Sequence, residues 1–174
     1  MHLYMSNVMS FPAIDLSAIL YDELLNNMIS SVTTILDDIY SHCGWELVIL
    51  DVLVHHQRQS TTVLPLQVIH SADSNEDFLL TGDIENIVES TFLRMYDIAV
   101  RHQKKSWNKV RVAMGWDAAK SYKLEYKYDD DLNWLDTLSV HNLDYTKLSF
   151  YEESKIKTWE GLPSFYKRFW APSP

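Results

Sequence analysis

The sequence predicts an α+β fold in which an antiparallel β-sheet carries helices packed on one face. Three observations predict it. Two stretches place apolar residues at helical spacing, two segments alternate apolar and charged residues, and the order is helix, two strands, helix, two strands. An irregular C-terminal part follows. The 174 residues suit a single α+β domain over 1–174, because no linker divides them. A chain of this size buries enough apolar surface to fold without a disulfide or metal.

From Ser17 to about His42, Tyr21, Leu24, Leu25, Met28, Val32, Ile35, Leu36 and Ile39 fall on one stripe. That is an amphipathic helix. Asp15 or Ser17 can cap its start, and Gly44 can end it. Trp45 to Val54 is rich in Val, Ile and Leu without helical spacing, so it reads as a largely buried strand. His55 to Ser60 is a polar turn. Thr61 to His70 is a second strand that Pro65 interrupts, which suggests an edge or a bulge. Ser71 to Asp77 reads as a polar loop.

Helical spacing returns from Asp83 to about Lys104, with Asp83 as N-cap and Ile84, Ile87, Val88, Thr91, Phe92, Met95, Tyr96 and Ala99 on the apolar face. Two alternating segments follow. Val110, Val112, Met114 and Trp116 alternate with Lys109, Arg111 and Ala113. Tyr122, Leu124, Tyr126 and Tyr128 alternate with Lys123, Glu125 and Lys127. Joined by residues 117–121, they form a hairpin with one face for a core and one for water. Residues 132–150 read as a long loop holding short elements. Residues 151–169 have room for a final helix that Gly161 and Pro163 limit.

Composition narrows the function classes. The net charge is −9, from 24 acidic and 15 basic residues. Such a surface repels phosphate backbones, so no nucleic-acid partner is expected. It attracts basic proteins and speeds encounter with them. No apolar run approaches the length of a membrane span, and the N-terminal residues lack the pattern of a signal peptide. A cytoplasmic location follows. The single Cys43 excludes an intrachain disulfide and reads as a packed small hydrophobe rather than a nucleophile.

The segment 128–136 draws most notice. Asp129, Asp131 and Asn133 have the one-three-five spacing of a calcium loop, but Trp134 and Val140 stand where that loop needs Gly and Glu. No metal or other cofactor is therefore expected. Two readings remain: a solvated acidic turn, or a docking patch in which Asp129, Asp130, Asp131, Trp134 and Asp136 meet a basic surface. The seven histidines include no metal spacing. His55 and His56 point to opposite faces of a strand, while His55 and His70 can meet across a strand pair. The chain has no G-x-S-x-G elbow and no glycine-rich phosphate loop. No catalytic residue is assigned. Near the C-terminus, Trp159, Phe165, Tyr166, Phe169 and Trp170 either close over the core or form a binding surface.

The hairpin carries a resemblance. Trp107-Asn108-Lys109-Val110, then the run from Tyr122 to Asp130, is similar to the late region of the YezG-like immunity proteins. Trp45 opening a strand and Trp159 fit the same outline. The resemblance implies an α+β antitoxin that binds and neutralises the toxic domain of a bacterial toxin, often a nuclease, by blocking its active site. It carries over no catalytic residue. The alternatives are an accessory or chaperone-type protein for a secreted effector and a small hydrolase. The sequence leaves the oligomeric state open.

Overall fold

The computed structural model describes residues 16–71, 74–102, 106–116, 122–141 and 148–170. Helix α1 (Leu16–Ile39) buries Leu25, Met28, Val32 and Leu36 of the expected stripe together with Ile29, while Ile39 at its end stays exposed. Two turns follow, and Gly44 takes a φ of 70°. That left-handed conformation suits a residue without Cβ at a helix exit. The expected cap Asp15 lies outside the described residues.

Strand β1 (Leu47–His55) is central and almost wholly buried. The expected second strand is present as two pieces, β2 (Ser60–Val63) and β3 (Leu66–Ser71). Both pair antiparallel with β1: Val52 faces Val63, and Ile49 faces Gln67. Leu64 still donates its N–H to Asp51 O at 2.9 Å. Pro65 has no N–H, so the ladder breaks there. The expected loop at 71–77 is instead largely strand, β4 (Ser74–Phe78), paired with β3. Its side chains are nearly all exposed because it is a sheet edge, so polarity gave no alternation to read.

Helix α2 (Asp83–Arg101) begins at Asp83 as expected, but its N-cap is Gly82 rather than Asp83. Asp83 and Glu85 instead occupy the first turn, where the helix dipole favours carboxylates. The hairpin β5 (Lys109–Gly115) and β6 (Tyr122–Lys127) forms as expected. The strands run β4-β3-β1-β5-β6, with β2 beside β1.

The C-terminal third differs from the expected loop. Helix α3 (Asp130–His141) occupies much of it, and α4 (Phe150–Ile156) is a short helix with a Ser149/Glu152 capping box. The start of α3 was hidden because its first turn reads as a charged break. Asp129 is its cap, its Oδ1 accepting the N–H groups of Asp131 and Leu132 at 3.0 and 3.1 Å.

Helices therefore serve both faces of the sheet. α1 and α2 cover Val48, Leu50, Val52 and Val54 of β1 with Val110, Val112 and Met114 of β5. On the opposite face Leu53 packs with Leu132, Leu135, Ile156 and Leu162. This second core is small, and polar contacts fasten it. Lys109 faces it from β5 with no exposed surface. Its Nζ donates to Asp129 Oδ2 at 2.6 Å, Ile156 O at 2.7 Å and Thr158 O at 2.6 Å. All three ammonium donors are thereby used. Gly161 closes the site: a Cβ there would stand 2.7 Å from Asp129 Oδ2.

Removing one member of a buried ion pair costs about 3–5 kcal/mol, because the other charge is left uncompensated. Lys109→Met should lower the unfolding free energy in urea by that amount. A loss within about 1 kcal/mol, the worth of an ordinary hydrogen bond, would remove Lys109 from this role.

Candidate functional site

The acidic run is built into the fold. Asp129 caps α3 and holds Lys109, and Asn108 brackets it by accepting its N–H and donating to its carbonyl, both at 2.7 Å. Asp131 is buried; it accepts Arg168 Nε at 2.7 and 2.9 Å and Trp170 Nε1 at 3.2 Å. Asp136 is buried against His55 and Arg58. Trp134 is half-buried and stacks on Trp170, with centroids 4.3 Å apart and planes 8° from parallel. Of the five expected docking residues, Asp130 alone is classed as exposed. The other four are engaged within the chain, so replacing Asp129 to Asp131 together would loosen α3 as well as remove charge.

His55 and Asp136 form the most chemically suggestive contact. Asp136 Oδ1 lies 2.6 Å from His55 Nδ1, and His55 Nε2 lies 2.8 Å from Thr62 Oγ1. Arg58 Nη2 donates to the same carboxylate oxygen at 3.2 Å. An acid–imidazole–hydroxyl line is the arrangement that activates a nucleophile. Here it ties β1, β2 and α3 together, with His55 only 4% exposed. His55 and His70, which could meet across a strand pair, are not brought together: His70 Nδ1 bonds Gly44 O at 2.7 Å. Cys43, expected to be packed, is exposed at the end of α1.

A different region has the shape of a binding site. Strand β6 extends the helix-side row of the sheet past the reach of α1 and α2. Across the sheet this row runs Val48, Met114, Tyr122; then Leu50, Val112, Leu124; then Val52, Val110, Tyr126. Its outer members, Tyr122 and Tyr126, stay 36% and 40% exposed. With Tyr21, Leu25, Trp107 and Tyr128 they line a groove of about 760 Å³. Trp107 packs against Tyr126 at 5.0 Å and edge-on to Tyr96 at 5.7 Å. The groove was legible only as three tyrosines where a covered strand would carry aliphatic residues.

The groove is electronegative. Burial pushes the Tyr126 hydroxyl well above its ordinary pKa, and the neighbouring Tyr21, Tyr122 and Asp22 push it further. Asp22 stands in the wall. Lys127 also lines it, but its ammonium lies 4.8 Å over the Trp159 ring and donates to Glu160 O, on the far face. The groove opens beside the most acidic part of the chain. Residues 1–101 contain fourteen acidic residues against three arginines and no lysine. On the surface this appears as Asp22, Glu23, Asp37 and Asp38 of α1, Glu76 and Asp77 of β4, and Asp83 and Asp97 of α2.

No helix of the described residues is long and apolar enough to cross a membrane. No family model matches the chain, and no curated protein matches it.

His56 supports the inner wall of the groove. Its Nε2 lies 3.0 Å from Trp107 O and its Nδ1 2.8 Å from Tyr96 Oη. A neutral ring serves both contacts, donating from Nε2 and accepting at Nδ1. Burial lowers its pKa below 6.5, outweighing the opposing effects of Trp107 O and Asp136. The folded state thus binds a proton less readily than the unfolded one. The stability His56 contributes is present above about pH 6.5 and lost as pH falls through the lower folded value. Thermal melts from pH 7.5 to 5 should show this loss, and His56→Gln should flatten it. An unchanged slope in the variant would contradict the assignment.

Proposed function

We propose that the chain is an immunity protein, which binds a bacterial toxin domain with a basic surface and neutralises it by occluding its active site. The observation that carries this reading is the segregation of charge. The α1–α2 layer and the β4 edge are acidic, and the aromatic groove opens at their border. Carboxylates of one sign on one side accelerate encounter with a basic partner, and a partly desolvated aromatic patch supplies the anchoring area. A nuclease, with its basic substrate cleft, fits that requirement best. The likeness to YezG-like proteins around Trp107 and the run from Tyr122 to Asp130 points the same way. The proposal moves docking from Asp129–Asp136 to the opposite side of the sheet, and places the protein in the cytoplasm, where such a toxin would act.

A second reading rests on one observation. The Thr62–His55–Asp136 line is the geometry of a small hydrolase. It requires turnover that His55→Gln abolishes, whereas the immunity reading requires protection that this substitution spares in folded protein.

Co-expression with whichever toxic nuclease domain the chain captures from its native cell tests the proposal. The wild type should restore growth. Reversing Asp22, Glu23, Asp37 and Asp38 to lysine should slow association at low salt by about 10- to 1,000-fold, the range over which steering acts. Binding without loss of toxicity, or full-rate association by the reversed variant, would overturn it.

A further inference from the structure

We infer that the groove between α1, α2 and the β5–β6 hairpin receives an arginine side chain from the partner, held over the aromatic faces by the Asp22 carboxylate. This deepens the proposed function and rests on its premise of a basic partner.

The chemistry follows from what lines the groove. Aromatic rings present negative faces, and a guanidinium is weakly hydrated, planar and able to stack on them. Tyr21, Trp107, Tyr122, Tyr126 and Tyr128 supply such rings in one concavity. Trp107 is buried against Tyr126, with centroids 5.0 Å apart, and backs the groove, while Tyr122, Tyr126 and Tyr128 keep exposed ring surface at its mouth. Asp22 is exposed on the first turns of α1 and forms part of the same wall. It offers the two oxygens that a guanidinium can engage in parallel. The basic residue in the wall, Lys127, does not compete, because its ammonium is occupied with Trp159 and Glu160 on the other face of the sheet.

An anionic occupant is disfavoured by the same features. The Asp22 carboxylate in the wall and the negative ring faces repel it, and burial already opposes ionisation of Tyr126. A purely aliphatic occupant would leave the Asp22 carboxylate unused and partly desolvated. An arginine satisfies both parts: its methylenes cover the rings, and its head reaches the carboxylate and the water at the rim. Arginine is also among the residues over-represented where interfaces concentrate their binding energy.

The test uses the full chain and three capped pentapeptides: Gly-Arg-Gly-Arg-Gly, the same peptide with citrulline for arginine, and the same with leucine. Binding is read by NMR shifts of the tyrosine and tryptophan ring protons, with salt varied. The arginine peptide should bind in the millimolar range and about three- to thirtyfold more tightly than the citrulline peptide, the span of a cation over aromatic faces. Its shifts should centre on Trp107, Tyr122 and Tyr126. Asp22→Asn, a surface change, should weaken it several-fold. Tyr122→Leu should do the same while keeping the apolar area, and it stands in for Tyr126→Leu if that variant fails to fold. Citrulline or leucine peptides binding as tightly as arginine, or shifts confined to α3 and α4, would overturn the inference. Failure here with steering intact condemns the groove assignment alone. Arginine binding here without toxin neutralisation condemns the immunity reading alone.

Discussion

The buried ammonium of Lys109 is the contact on which the second half of the molecule depends. It projects from the first residue of β5 into a face of the sheet that carries few apolar residues, and it binds three separate pieces of chain: the cap of α3, the end of α4 and the turn that follows. A core of Leu53, Leu132, Leu135, Ile156 and Leu162 is small for two helices and a long tail. Directional contacts complete it. Asp51 beside Arg111, with both contacts at 2.7 Å, Arg168 beside Asp131, and His55 beside Asp136 continue the pattern. Buried charge pairs of this kind do little for net stability compared with apolar packing, but they punish a wrong register severely, because each misplaced charge is left alone.

This use of charge explains which parts of the fold were legible. The first helix, the central strand, the second helix and the hairpin show strong periodicity, because the helix-side core is apolar and each element offers it a clean stripe. The C-terminal third shows no such stripe. Its attachment runs through Asp129, Asp131, Asp136 and Lys109, which look like surface residues in any pattern built on hydrophobicity. Strand β4 was missed for the opposite reason: it is a wet edge with four exposed residues of five, held by backbone pairing that leaves no side-chain signature.

The same misreading shifts the functional surface. A run of carboxylates beside a tryptophan looks like a docking patch until its partners are found within the chain. Once Asp129, Asp131 and Asp136 are accounted for, the free acidic surface lies on α1, α2 and β4, on the other side of the sheet. There the aromatic groove is not closed, since β6 extends beyond the two helices that cover its neighbours. One side of the sheet thus uses most of its charges to hold itself together, and the other leaves more of them in water, although Asp37 accepts from Trp45 and Glu76 is held by Tyr40 and His70. Under the proposed function, the chemistry offered to a partner is a negative field leading to an aromatic concavity, a combination suited to fast capture followed by tight seating.

Hydrogen exchange of the chain, free and bound to the basic partner that the proposed function requires, tests this division most directly. The account predicts slowed exchange in the first turns of α1, in β6 and around Trp107, with α3 and α4 unchanged. Protection centred on residues 129–141, with α1 and β6 exchanging as in the free protein, would contradict it.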